Sequence, residues 1–153
     1  MEFIGQLAVI LGFAAGASGS ALGIWTAGCA AAGAWARDAK AGKRLRFPYI
    51  VFIGAPLSQT FYSMIVMNQM GDYLAKASGG VGGNAGLLMG IALATGLGEM
   101  LSAWFQGVIG AAAIRSMSES DGKGLAFLLI AIGIIETVGI FTMVFMLGMV
   151  PSA

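Results

Sequence analysis

Glu136 is the only ionisable group between Gly124 and Val150, in the run GLAFLLIAIGIIETVGIFTMVFMLGMV. Roughly 20 apolar residues are enough to cross a bilayer as a helix, so this run reads as a transmembrane span with a carboxylate near its middle. A charge at that depth costs about 3 kcal/mol on the insertion scale and marks an ion or substrate site by default. The alternative is a protonated Glu that only bonds a neighbouring helix.

Three more runs have the same character: Phe3 to Ala36, Phe47 to Gly71, and, after a Gly-rich link, about Ala85 to Ile114, which contains Glu99. All four predict helices, because a spanning segment must satisfy its backbone internally. A transmembrane barrel would need short alternating segments, and none are present. With 58% hydrophobic and 10% charged residues and 25 glycines, the composition is that of packed membrane helices. A formal charge of +1 without a basic stripe gives no sign of nucleic-acid binding. There is no His, and Cys29 is the one cysteine, which excludes a His/Cys metal site, a disulfide and a Cys-His nucleophile. Cys29 lies among small residues and reads as a packing residue. Met1 and Glu2 lack the basic start of a secretory signal, so the first run is expected to be a helix of the mature protein.

The charges between the runs predict the topology. Arg37, Lys40, Lys43, Arg44 and Arg46 separate runs one and two, Arg115 and Lys123 separate runs three and four, and Lys76 stands alone in the link between runs two and three. By the positive-inside rule both charged loops face the cytoplasm and both termini face out.

The halves also repeat. Gly19, Leu22, Trp25 and Gly28 recur as Gly98, Leu101, Trp104 and Gly107, a GxxLxxWxxG match at a constant offset of 79 residues. The expected fold is therefore all-α: four transmembrane helices in two tandemly duplicated hairpins, 1–76 and 77–153. At the same offset Glu136 faces Leu57, so only the second copy carries the carboxylate. Gly12, Gly16, Gly19 and Gly23 add a small-residue stripe to the first run, predicting a closely packed inner helix.

Polar groups of the other helices are candidates to meet Glu136. GAPLSQTFYSM in the second run supplies Ser58, Gln59 and Tyr62 beside Pro56, whose missing N–H loosens carbonyls near Ala55. The third run supplies Gln106. Singly, Ser58 and Thr60 fit a bond to their own helix backbone, and the two Gln fit interhelical hydrogen bonding. Together they offer a carboxylate, amide oxygens, a hydroxyl, a phenol and a carbonyl, the oxygen shell that a hard cation requires.

Pro56, Ser58, Gln59 and Tyr62, with Gln106 and Glu136, resemble the double-hairpin proteolipid, or K subunit, of the V-type rotary ATPases, and the resemblance spans nearly the whole chain. It is similar to the sodium-translocating branch. The resemblance implies that Glu136, Gln106, Gln59, Ser58 and the main-chain carbonyl of Ala55 bind Na⁺, with Tyr62 orienting the carboxylate. Ser58 stands where Thr is more usual.

The same resemblance implies a homo-oligomeric ring in the bilayer, with the Gly-rich first and third helices inside and the second and fourth outside. It also implies a stator subunit supplying an Arg, a central-stalk subunit at the cytoplasmic loops, and ATP hydrolysis in other subunits. No cofactor is implied beyond the transported ion, and no GxxxxGK[ST] loop is present for ATP. A proton would need only the carboxylate and one or two partners, so the two Gln favour Na⁺ over H⁺. A small channel, a transporter or a structural four-helix protein is the alternative of another class. A prokaryotic plasma membrane is the expected location. Glu99, seven residues before Gln106, falls outside the family pattern and reads as structural, a protonated partner for Ser20 or for a neighbouring subunit, the alternative being a place where water enters.

Overall fold

A computed structural model describes residues 2–77 and 84–152. Most of the Gly-rich link expected after run two, and the boundary placed there, lie outside the described residues. The elements are α1 (Glu2–Lys40), α2 (Pro48–Gly54), a 3₁₀ turn (Ala55–Leu57), α3 (Ser58–Lys76), α4 (Ala85–Glu119) and α5 (Leu125–Met149). No strand occurs among the described residues. Four segments are long and apolar enough to cross a membrane: Phe3–Lys40, Pro48–Lys76, Ala85–Glu119 and Leu125–Met149. The chain is an all-α integral membrane protein.

Two helices, α1 and α4, outrun their apolar stretches because hydrogen-bonded turns, not the change in polarity, end them. α1 closes in a Schellman turn: Lys43 N–H donates to the Asp38 carbonyl at 2.8 Å and Gly42 N–H to Ala39 at 3.0 Å, with Gly42 at φ +66°. α4 closes in a similar turn, with Gly122 N–H donating to Met117 at 2.8 Å and Asp121 at φ +54°. Asp is one of the few residues that tolerate this left-handed conformation. Gly42 and Asp121 are 79 residues apart, the spacing of the sequence repeat.

Run two is broken in the middle by Pro56. Lacking an N–H, it deprives the Phe52 carbonyl of its helical donor, and the chain tightens into the 3₁₀ turn before α3 begins.

The Gly stripe of α1 packs inside the chain. A Cβ on Gly12 would come within 3.2 Å of Ala92 Cα, one on Gly19 would strike the backbone of Met100, and one on Gly23 the carbonyl of Ala103. The contacts climb both helices together, so α1 and α4 run parallel with their backbones in close approach. Among the described residues they make the most extensive pairing, and α3 and α5 lie on its flank and touch each other. α5 buries only Ile132 and Gly139 well, and exposes Phe127, Ile134, Phe141 and Phe145 broadly, as a lipid-facing helix does.

Two apolar clusters cap the interior. One gathers Val66, Met67, Met70, Leu88 and Ile91; the other, nearer the charged loops, gathers Ala27, Tyr49, Phe52, Ile114 and Ile132. Between them, buried on α1, α3 and α4, lie Ser20, Gln59, Ser63, Thr95, Glu99, Ser102 and Gln106. A polar layer in the middle of a membrane bundle is costly unless its groups are paired or bind something.

Both charged loops meet at one end of the bundle. Lys43 Nζ is 2.6 Å and Arg46 Nη2 3.2 Å from Asp121 Oδ1. Beneath them the buried Asp38 accepts from Tyr49 Oη at 3.1 Å and Ser118 Oγ at 3.0 Å. The hydrogen bond and charge of Lys43 hold the Asp121 carboxyl below the usual carboxylate range.

Candidate functional site

Glu136 lies half-buried on the flank of α5, where its helix meets α3. Tyr62 Oη donates to Glu136 Oε1 at 3.0 Å, tying the two outer helices across the polar layer. A phenol can donate one proton, so this bond fixes one carboxylate oxygen and leaves the other to take a proton or a cation.

One turn before Tyr62 on α3 the chain gathers oxygen. Ser58 Oγ is 3.0 Å from the Ala55 carbonyl and 3.1 Å from Gln59 Oε1. The Ala55 carbonyl also accepts the Ser58 backbone N–H, closing the 3₁₀ turn. The Ala55 carbonyl and Gln59 Oε1 thus compete for the one Ser58 hydroxyl proton, a surplus of acceptors that suits a bound cation.

Gln59 is fully buried and connects this group to the carboxylate helix. Its Nε2 donates to Ser102 Oγ at 3.2 Å, and Ser102 Oγ donates to the Ile135 carbonyl at 3.0 Å, the residue before Glu136. Gln106 follows Ser102 by one turn on α4. Its amide is buried, and neither Oε1 nor Nε2 has a hydrogen-bond partner among the described residues. Leaving an amide unpaired costs about 1–3 kcal/mol, so this group is poised for something the chain alone does not supply.

The structure therefore brings together Tyr62 with Glu136, and Ser58 with Ala55 and Gln59. Gln106 is on the same face of α4 as Ser102 but bonds to none of them. Ser102 is a site residue that the sequence reading passed over. Its signal was available: it is a hydroxyl one turn from Gln106, and at the repeat offset it replaces the close-packed Gly23. Thr60 does not bond its own helix; its hydroxyl donates to Ser20 Oγ at 2.8 Å. That takes Ser20 away from Glu99, the partner suggested for it from sequence.

Residues 89–149 match the family of the ATP synthase C subunit. No curated protein matches the chain. The matched segment covers most of α4 and all of α5, the hairpin that carries Gln106 and Glu136. The match spans less than half of the chain, and the matched family is one of non-catalytic c-type proteolipids that form homo-oligomeric rotor rings.

Proposed function

We propose that a chain whose second hairpin matches the ATP synthase C subunit is, over its whole length, the double-hairpin K-type proteolipid of a V-type rotary ATPase, carrying Na⁺ at Glu136. The single observation that carries this reading is the Tyr62–Glu136 hydrogen bond, with the clustered oxygens of Ser58, Gln59 and Ala55 one turn away. Glu136, Gln106, Gln59, Ser58 and the Ala55 carbonyl form the Na⁺ shell, and Tyr62 orients the carboxylate. The unpaired Gln106 amide supports Na⁺ over H⁺, because a proton would need no second amide.

The tandem hairpins are 1–76 and 77–153, and only the second carries a carboxylate. α1 and α4, joined through glycine, form the inner wall of the ring; α3 and α5, with broad apolar faces, form the outer wall. Both charged loops face the cytoplasm and meet the central stalk, and both termini face out, in a prokaryotic plasma membrane. That the loops share one end of the bundle supports this orientation.

An ionised Glu136 facing lipid is costly, whereas one paired with Na⁺ is nearly neutral. Occupied sites pass through the bilayer; an Arg of the stator displaces Na⁺ and holds the empty carboxylate. One carboxylate per four helices carries few ions per turn, which suits pumping against a steep gradient.

The test is ATP-driven uptake of radioactive Na⁺ by the whole complex in liposomes. Accumulation that persists when a protonophore collapses the pH gradient supports the reading. Proton uptake without Na⁺ accumulation would make the ring a proton carrier.

A further inference from the structure

Among the described residues, Glu99 is the one carboxylate wholly enclosed by the helix bundle. Its residue exposure is 0%, and neither Oε1 nor Oε2 has a hydrogen-bond partner among the described residues. Two hydroxyls of the same layer share both properties: Ser63 Oγ on α3 and Thr95 Oγ1, one turn before Glu99 on α4. Ser63 and Glu99 both face Gly16 of α1, where a Cβ would strike Ser63 Oγ and touch Glu99 Cβ at 3.5 Å. On the opposite side, a Cβ on Gly139 of α5 would stand 2.6 Å from Glu99 Oε2 and 3.3 Å from Gln59 Nε2. Two of these four unpaired oxygens, Ser63 Oγ and Glu99 Oε2, thus lie against glycines on two flanking helices.

The repeat shows what such a place looks like when it binds nothing. At the offset of 79, Glu99 and Gly139 correspond to Ser20 and Thr60, and in the first hairpin those two hydroxyls satisfy each other at 2.8 Å. In the second hairpin the serine has become an acid and its hydroxyl partner has become glycine. The exchange adds a negative group, removes its donor and keeps the volume clear. A buried carboxylate in that setting must be neutralised, by a proton or by a cation.

We propose that Glu99, Ser63 and Thr95 form a second cation site, separate from Glu136 and closed inside the bundle, that holds a resident monovalent hard cation such as Na⁺. One carboxylate balances one positive charge, and hydroxyl and carboxylate oxygens are the ligands such ions take. Among the described residues no three His, Cys, Asp or Glu groups converge, so a multivalent or transition-metal ion has no matching charge here. Four helices enclose this ion, whereas Glu136 opens towards lipid; it steadies the bundle and does not serve as cargo.

The test is equilibrium dialysis of the purified full-length assembly against radioactive Na⁺ at fixed pH, counting ions per chain. Wild type should hold two, and Glu99→Gln and Glu136→Gln should each hold one. Thr95→Val, which keeps shape and loses one ligand oxygen, should weaken the second site about tenfold and serves if Glu99→Gln does not fold. If Glu136 carries protons instead, wild type should hold one Na⁺ that Glu136→Gln keeps and Glu99→Gln loses; this result upholds the inner site while overturning sodium carriage. An unchanged count in Glu99→Gln, with unchanged affinity in Thr95→Val, overturns the proposal.

Discussion

The two hairpins use the same positions in opposite ways. In the first, Leu57 faces out from the 3₁₀ turn and is 44% exposed, while Ser20 and Thr60 close a small hydrogen bond inside. In the second, the equivalents of those residues are Glu136, Glu99 and Gly139. Backbone features at the same offset persist, since Gly42 and Asp121 both take the left-handed position that ends the first helix of each hairpin. A common scaffold has thus kept its turns and diverged in its polar layer. One half carries Ser58, Gln59 and Tyr62, and the other carries Gln106 and the carboxylates. On the proposed reading neither half holds a complete site, which makes the packing of α3 against α4 and α5 the functional unit.

The strongest way to break that comparison is to remove the carboxylate. Glu136→Gln makes the second hairpin as uncharged at this position as the first, and should reduce ATP-driven ion uptake to background. Normal uptake would move the carrier site elsewhere.

A second change imports the first hairpin's interior. Gly139→Thr alone forces a side chain against Glu99 and Gln59, and should cost about 1–3 kcal/mol, read as a lower unfolding temperature in detergent. Adding Glu99→Ser rebuilds the Ser20–Thr60 pair and should recover most of that loss. A double variant as unstable as the single one would mean the two interiors are not equivalent.

A smaller effect is expected at the outer edge of the site. Tyr62→Phe removes the donor to Glu136 and leaves the ring, and should weaken Na⁺ binding about tenfold, the scale of one hydrogen bond to a charged group. An unchanged affinity would demote Tyr62 to packing.

Least affected should be the joined loops. Asp121 is exposed, and surface ion pairs contribute little. Its carboxyl, held low by Lys43, favours the fold above the pH at which an unfolded Asp ionises, and that contribution fades as pH falls through its own lower value. Asp121→Asn should lower the unfolding temperature only slightly at neutral pH, with the difference from wild type vanishing towards acid.

Much of this was legible in the sequence because membrane helices announce themselves by length and apolarity, and because a carboxylate in such a run has few explanations. The α1 stripe was legible for a similar reason: glycines one turn apart have a single use in lipid, and the structure spends them on α4. The Tyr62–Glu136 contact followed from both residues sharing a depth. Ser102 was missed because a lone serine in a helix usually bonds its own backbone, and only the arrival of Gln59 and Ile135 from other helices shows otherwise. The surroundings of Glu99 were hidden for a deeper reason. Helix rotation decides which residues share an interior, and Gly16, Ser63 and Gly139 are far apart in sequence. Where helices end was also obscure, since a Schellman turn depends on one left-handed residue and not on hydropathy.

The measurement that tests the central claim most directly is the modification of Glu136 by a hydrophobic carbodiimide in purified rings, titrated with Na⁺ at fixed pH and read by peptide mapping. The reagent requires a protonated carboxyl, so a bound cation shields the residue. Labelling confined to Glu136, suppressed by Na⁺ but not by K⁺, and made insensitive to Na⁺ by Gln59→Ala or Gln106→Ala, is the predicted result. Labelling that follows pH alone and ignores Na⁺ would contradict a sodium site built on α3, α4 and α5.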